Sequence, residues 1–196
     1  MQAAAGTSLN DVTPRPVPSR RALVAVLAAL AGLVLAVDQV TKALAVSRLD
    51  PARPVPLLGD LLQLRITRNA GAAFSMGTGA TWLLTLVAVA IVAVVLRSVR
   101  RLGSPGWTLA LGLLLGGALG NLVDRLVREP GIGRGHVVDF IAYGDLFIGN
   151  VADVAIVVAA GLMALLSVRG IRLEGHPVAD LAEDPAEGSP GGGVRG

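Results

Sequence analysis

Four long apolar runs divide the chain. They occupy residues 22–46, 81–99, 108–127 and 151–168. A hydrocarbon core of about 30 Å takes roughly 20 helical residues to cross, so each run is long enough or nearly long enough for one crossing. The hydropathy pattern therefore predicts a mainly α, polytopic membrane protein with four transmembrane helices.

The links between these runs differ in length. The links 47–80 and 128–150 are long, whereas the second and third runs are joined by a short segment. Within the first long link, "LQLRIT" alternates apolar and polar residues, which is typical of a strand, and a glycine-bearing turn follows it. We therefore expect a small extracytoplasmic β element in that link.

The two ends of the chain have the composition of disordered tails. Residues 1–19 are small, polar and proline-bearing, and residues 174–196 are acidic and glycine-rich. Such segments lack the apolar side chains that a packed core needs. We predict a single membrane domain over residues 20–173, flanked by two disordered cytoplasmic tails.

The first apolar run could instead be a cleaved signal peptide, with "ALA" at 43–45 as its cleavage site. Its apolar stretch is too long for that, and Asp38 and Lys42 interrupt the region where a cleavage site should be bland. An uncleaved spanning helix is the favoured interpretation.

Arginines at the run ends indicate the orientation. The cytoplasmic side of a membrane protein carries the excess of Lys and Arg in short links. Such arginines precede the first run, crowd the short link and follow the fourth run: Arg20, Arg21, Arg97, Arg100, Arg101, Arg169 and Arg172. Both termini are therefore predicted to be cytoplasmic and both long links extracytoplasmic, although arginines in the long links weaken the bias.

Composition agrees with a membrane protein and removes several classes of chemistry. The chain is 53% hydrophobic and 16% charged, with mean hydropathy +0.67. Its net charge of +3 comes from arginines that flank apolar runs, which favours anionic lipid headgroups over nucleic acid as partners. No cysteine is present, and His136 is the only histidine outside the tail, so thiolate catalysis, a His-based triad and multi-His metal sites are excluded. We predict no metal and no cofactor.

Lys42 is the only lysine, so a Ser-Lys dyad would have to use it. Ser75 is the nearest candidate serine, but nothing in the pattern places it beside Lys42.

Four carboxylates are predicted to lie at one depth. At 1.5 Å per helical residue, Asp38 and Asp124 each lie about 25 Å along their runs. Asp153 begins the fourth run, and Asp139 lies in the link just before it. These acids therefore gather at the outer membrane boundary, where a carboxylate avoids the cost of several kcal/mol in hydrocarbon.

Polar neighbours share helix faces with these acids. Asp38 and Lys42 are spaced i, i+4, which fits either an ion pair or a role in a site. Asn121, Asp124 and Arg125 share part of one helix surface, where Asp124 and Arg125 could form a structural ion pair. Glycines repeat every four residues on the same run and predict close helix packing: Gly112, Gly116 and Gly120.

A pair of aspartates is the chemistry that these residues allow. Two carboxylates held close together in a partly dehydrated site share one proton, so one can act as base and the other as acid. The spacing does not select the pair. An ion-coupled carrier would need acids spread through the membrane depth, and a structural assembly factor would leave the polar cluster unexplained.

Five motifs occur in order: "VDQVTK", "NAGAAFS", "GGALGNLVDRL", "GHVVDFI" and "NVADVAI". With these motifs the chain resembles the lipoprotein signal peptidases (signal peptidase II), which are bacterial intramembrane aspartyl proteases, over about residues 25–168. The resemblance implies four transmembrane helices, an extracytoplasmic β cradle from the first outer link, and a short amphipathic outer helix near "NAGAAF".

The resemblance also implies the roles of the site residues. Asp139 and Asp153 would form the catalytic dyad, and Asp145 would be a solvated loop acid. The remaining motif residues would bind substrate or support the site: Asp38, Lys42, Asn69, Asn121, Asp124, Arg125 and Asn150. One departure is Gly149, which stands where the family usually has phenylalanine, with Phe147 two positions earlier; this puts the packing of the site wall in doubt.

The implied reaction is removal of the signal peptide from diacylglyceryl-modified prolipoproteins, by cleavage on the amino side of the lipidated cysteine. The implied location is the bacterial cytoplasmic membrane, with the active site at the outer leaflet and membrane lipids as further partners. The oligomeric state is open, with a monomer as the expectation.

Overall fold

Four long helices form the membrane part of the protein. The computed structural model describes residues 18–71 and 81–175. Its helices are α1 (Arg20–Arg48), α2 (Thr81–Ser98), α3 (Pro105–Val127) and α4 (Val151–Val168). Each is long and apolar enough to cross a membrane, so the four predicted spans are confirmed.

Side-chain caps define where the helices begin. Ser19 accepts a hydrogen bond from the backbone N–H of Ala22 at the start of α1, and Ser104 caps α3 just before Pro105. Both caps satisfy N–H groups that have no partner inside the helix. A 3₁₀ turn, Val99–Arg101, follows α2 and leads into the short link to α3.

Helix α3 is the centre of the bundle, and α1, α2 and α4 all pack against it. About 56% of its apolar 18-residue stretch is buried, against 17–22% of the corresponding stretch in each of the other three helices. Its glycines permit the close approach to α1: a Cβ at Gly116 would lie 2.6 Å from the Cβ of Val34 and 2.8 Å from the carbonyl oxygen of Ala31. The predicted packing role of the glycine stripe is therefore confirmed.

A four-stranded antiparallel sheet, in the order β1-β2-β3-β4, covers one end of the bundle. Strands β1 (Val55–Leu58) and β2 (Leu62–Asn69) come from the first long link, as predicted. Strands β3 (Val137–Tyr143) and β4 (Phe147–Gly149) come from the second link, where no strand was predicted. The stretch "VVDFIAY" is buried along nearly its whole length, so its sequence lacks the alternation that marks a half-exposed strand.

Strand pairing and threonine side chains attach the sheet to the helices. Strand β2 pairs with β3, with Thr67 opposite Asp139 and Asn69 opposite Val137. At the start of α2, the hydroxyl of Thr81 donates to the carbonyl of Ala70. These contacts fix the position of Asp139 relative to the bundle.

Two predictions concern segments that the structure does not describe. The amphipathic outer helix near "NAGAAF" falls largely on residues 72–80, and the predicted tails fall largely on residues 1–17 and 176–196. They stay predictions.

Candidate active site

The structure brings together four aspartates from four different elements. Asp38 lies on α1, Asp124 near the end of α3, Asp139 in the middle of β3 and Asp153 in the first turn of α4. Asp139 therefore lies in a strand, not in a loop as the sequence suggested. Asp38, Asp124 and Asp139 are at most 1% exposed, and Asp153 is half-buried. Asp145 lies in the exposed turn between β3 and β4.

Each carboxylate of the pair Asp139 and Asp153 accepts two hydrogen bonds. Oδ1 of Asp139 accepts from Nδ2 of Asn150 at 2.6 Å, and Oδ2 accepts from Nδ2 of Asn69 at 2.9 Å. Oδ1 of Asp153 accepts from Nδ2 of Asn121 at 2.9 Å, and Oδ2 accepts from the backbone N–H of Asn150 at 3.0 Å. These bonds determine the orientation of both carboxylates.

Asn150 is the residue that connects the two carboxylates. It is the N-cap of α4, and its Oδ1 accepts from the backbone N–H of Asp153 at 3.0 Å, which completes a capping box. Its Nδ2 donates both to Asp139 and, at 3.1 Å, to Oδ1 of Asn121. Asn150 therefore binds the Asp139 carboxylate with its side chain and the Asp153 carboxylate with its backbone N–H.

A buried ion cluster supports this arrangement through Asn121, which contacts both Lys42 and Asp153. Nζ of Lys42 lies 2.8 Å from Oδ2 of Asp38, 2.9 Å from Oδ2 of Asp124 and 3.1 Å from Oδ1 of Asn121. The side chains of the lysine and both aspartates are fully buried. Asp38 also accepts from the backbone N–H of Ala152 at 2.9 Å, which ties α1 to the start of α4. The predicted Asp38–Lys42 contact is thus present, and it is part of a larger network.

The ion pair predicted between Asp124 and Arg125 does not form. Asp124 instead pairs with Nε of Arg128 at 2.7 Å, and it accepts from the backbone N–H of Val138 at 3.1 Å. Neighbouring residues on a helix point in different directions, whereas residues four apart lie on one face. Arg125 is buried, and its Nη1 has no hydrogen-bond partner among the described residues.

Two polar residues of this network were not singled out in the sequence. Nε2 of Gln39 lies 3.1 Å from Oδ2 of Asp38, 3.0 Å from the carbonyl of Gly120 and 3.2 Å from Oδ1 of Asp124. The second polar residue is Arg128, which pairs with Asp124. The signals were the polar Gln39 inside an apolar run and the i, i+4 spacing of Asp124 and Arg128.

A cavity of about 350 Å³ opens beside the two carboxylates. Helices α2 and α4 both pack on α3 but hardly touch each other, and the cavity lies between them. Its walls are mainly apolar, from α2, α3, α4 and the sheet: Leu84, Val87, Ala88, Ile91, Ala118 and Ile156, among others. Asn69, Asn121, Arg125, Asp139 and Asp153 supply its polar part. An elongated apolar ligand can therefore reach both carboxylates.

Burial alters the protonation of Asp139. Removal from water raises the pKa of this carboxyl to about 6, and the nearby Asp153 charge acts in the same direction. Hydrogen bonds from Asn69 and Asn150 lower the pKa and offset part of the effect. Asp139 therefore keeps its proton at a higher pH than an ordinary aspartate, up to about pH 6.

The described residues offer no metal site, since no group of three His, Asp or Glu in residues 18–71 and 81–175 could hold an ion. The groups that face the carboxylates are amides, arginine and lysine. Their chemistry is hydrogen bonding and charge balance.

Comparison with known proteins places the chain in a family. The family described as Signal peptidase (SPase) II matches residues 30–169. A lipoprotein signal peptidase of Rhodococcus jostii (strain RHA1) is 55% identical over 166 residues, which covers 85% of this chain and 83% of that protein. A lipoprotein signal peptidase of Mycobacterium avium (strain 104) is 50% identical over 161 residues, covering 82% and 87%.

Solved structures agree on the fold. A bacterial membrane enzyme determined by the in meso method at 1.9 Å resolution superposes with a TM-score of 0.65 at 24% identity, covering 74% of this chain and 94% of that one. From the family match and the identity to its members, the chain belongs to the signal peptidase II family and is a multi-pass bacterial membrane peptidase of the lipoprotein signal peptidases.

Proposed function

We propose that this peptidase is a membrane aspartyl endopeptidase that cleaves diacylglyceryl-modified prolipoproteins on the amino side of the lipidated cysteine. Family membership accounts for removal of signal peptides from prolipoproteins. The aspartyl mechanism is our inference, and one observation carries it: Asn150 hydrogen-bonds both Asp139 and Asp153 at the polar end of an apolar cavity.

Charge balance supports a dyad that shares one proton. The buried network contains four carboxylates, and its cations are Lys42, Arg125 and Arg128. With one proton shared by Asp139 and Asp153, three negative charges face three positive charges. A second ionised carboxylate in the pair would leave a net negative charge in a poorly solvated place, which is costly.

The two aspartates have different environments, which suggests their roles. Asp139 is the more buried and has the raised pKa, so it would be the protonated acid. Asp153 is only half-buried, so water reaches it more easily and it would be the base that activates water.

In this mechanism Asp153 takes a proton from water as the water oxygen attacks the scissile carbonyl carbon, and Asp139 gives its proton to the carbonyl oxygen. Collapse of the tetrahedral intermediate then breaks the C–N bond. The proton held by Asp153 passes to the leaving nitrogen, and the hydroxyl proton returns to Asp139.

The cavity fits a substrate that enters from lipid. The signal peptide of a prolipoprotein is an apolar segment, and the opening between α2 and α4 is lined by apolar side chains such as Leu84, Val87 and Ile156. Arginines at the opposite end of the bundle include Arg20, Arg97 and Arg169. If these arginines are cytoplasmic, the sheet and both carboxylates would lie at the outer leaflet.

The raised pKa of Asp139 leads to a pH prediction. If Asp139 acts as the acid, its proton is lost as pH rises through about 6, so kcat/KM should fall about tenfold per pH unit above that value. The kcat profile should lie at higher pH, because bound substrate excludes water and further favours the neutral acid. Steady-state kinetics between about pH 5 and 8 measure both the kcat/KM profile and the kcat profile. A flat kcat/KM profile across that range would argue against Asp139 as the acid.

The direct test is cleavage by the purified full-length chain in lipid. Two matched substrates are offered: one prolipoprotein carrying diacylglycerol on its cysteine, and the same prolipoprotein without the lipid. We expect cleavage of the lipidated substrate only, with mass spectrometry placing the new amino terminus at the cysteine. A folded wild-type protein that cuts neither substrate, or cuts both equally, would contradict the proposal.

A further inference from the structure

Gly149 occupies a position with no room for a side chain. It is buried at the end of β4, opposite Ile141 of β3, and it directly precedes the cap residue Asn150. A Cβ built on Gly149 would lie 2.9 Å from Oδ2 of Asp153 and 3.0 Å from Cε2 of Phe147. At these distances the Asp153 carboxylate would have to shift, and the Phe147 ring would have to give by a few tenths of an ångström.

The two neighbours of Gly149 form a wall between two cavities. Asp153 and Phe147 line the 350 Å³ cavity, and they also line a second, apolar cavity of about 160 Å³ with Tyr143, Val154 and Val157. The ring of Phe147 stacks on Tyr143, its cross-strand partner, with ring centres 4.7 Å apart. The stack limits how far Phe147 can move.

We propose that Gly149 is a positioning residue for Asp153, because its missing side chain lets the Asp153 carboxylate and the Phe147 ring settle against the backbone of β4. In that position Oδ2 of Asp153 accepts the backbone N–H of Asn150 at 3.0 Å. The ring of Phe147 lines the same two cavities as Asp153. This inference rests on the proposed function, since its effect is measured through the activity assigned to Asp153.

The test compares two glycine-to-alanine variants in the full-length protein, acting on the lipidated prolipoprotein. In Gly149→Ala the new methyl must displace the carboxylate or the ring. In the control Gly161→Ala, in α4 and eight residues after Asp153, a Cβ meets no heavy atom within 4 Å. We expect kcat to fall about tenfold in Gly149→Ala, as misplaced catalytic groups lose rate steeply with distance. KM should stay near the wild-type value because the walls on α2 and α3 are unchanged, and Gly161→Ala should behave as wild type.

A second pair of variants separates positioning from general damage to the fold. Phe147→Ala removes the ring that confines the new methyl, so β4 can move away from Asp153. Adding Gly149→Ala in that background should lower kcat only about twofold, since neighbouring substitutions that share a contact are not additive. Thermal unfolding is followed for every variant.

Three results would overturn the inference. The first is a wild-type kcat in Gly149→Ala. The second is an equal loss of kcat with and without the Phe147 ring. The third is a loss of kcat that only follows loss of folded protein in both backgrounds. A wild-type enzyme that leaves the lipidated substrate uncut is a different result, because it rejects the proposed function itself.

Discussion

Replacing either member of the proposed dyad should lower kcat/KM by about four orders of magnitude. Asp139→Asn and Asp153→Asn keep the size of each side chain but remove the group that donates or accepts the proton. Asn cannot share a proton with the remaining carboxylate, so Asp139→Asn loses protonation of the carbonyl oxygen and Asp153→Asn loses activation of water. The measurement is cleavage of the lipidated prolipoprotein under single-turnover conditions.

Two controls make this result specific. Asp145→Asn removes an exposed carboxylate from the turn between β3 and β4 and should leave kcat/KM unchanged. The double variant Asp139→Asn/Asp153→Asn should be no slower than the single variants, because residues that act as one unit lose their effect together. A single dyad variant that retains more than about a tenth of the wild-type rate would show that the wrong carboxylates were chosen.

Removing the charge of Lys42 should have the largest effect on stability. Lys42→Met leaves Asp38 and Asp124 buried without the cation that lies between them at 2.8 and 2.9 Å. Removal of one partner from a buried ion pair costs about 3–5 kcal/mol in the free energy of unfolding, and here Asp38 loses its cation while Asp124 keeps Arg128. Thermal or chemical unfolding in detergent measures the loss.

Activity should fall in Lys42→Met as well, because Asn121 receives a hydrogen bond from Lys42 at 3.1 Å and donates to Asp153 at 2.9 Å.

For stability, Arg53→Gln is the matched control: its pair with Asp50 spans 3.8 Å and both side chains are exposed. An exposed pair contributes only about 0–1 kcal/mol. Adding Asp38→Asn to Lys42→Met should recover part of the stability by removing one unpaired charge. If Lys42→Met unfolds like wild type, the cluster does not hold the helices together.

Contacts between polar residues on one helix could be predicted from their spacing only in part. The i, i+4 spacing of Asp38 and Lys42 predicted a contact that the helix geometry then produced, because residues four apart lie on one face. The neighbours Asp124 and Arg125 were paired in the sequence-based interpretation, and the structure pairs Asp124 with Arg128 instead. Spacing along a helix was informative, and adjacency was misleading.

The strands show a different limit. The alternation in "LQLRIT" marked β2, a strand that is half-buried except at the exposed Arg65 and Arg68. Strand β3 is buried along most of its length, so its sequence resembles any apolar segment. Gly149 was noticed only as a departure from the family pattern, and its contact with the Asp153 carboxylate required coordinates.

The sequence by itself determined the number of membrane helices, their bounds to within three residues and the absence of cysteine chemistry. Hydrocarbon imposes the helix lengths and the depth of the acids directly, since each crossing needs about 20 apolar residues and each carboxylate must lie near an end.

Only the tertiary structure decided which polar groups meet. Asp38 contacts the backbone of Ala152, 114 positions away in the chain, and Gln39 contacts Asp124 across 85 positions. Such contacts depend on how closely α1, α3 and α4 pack and on the register of β3 with β2. Those quantities follow from the combined fit of many side chains, and no local spacing encodes them.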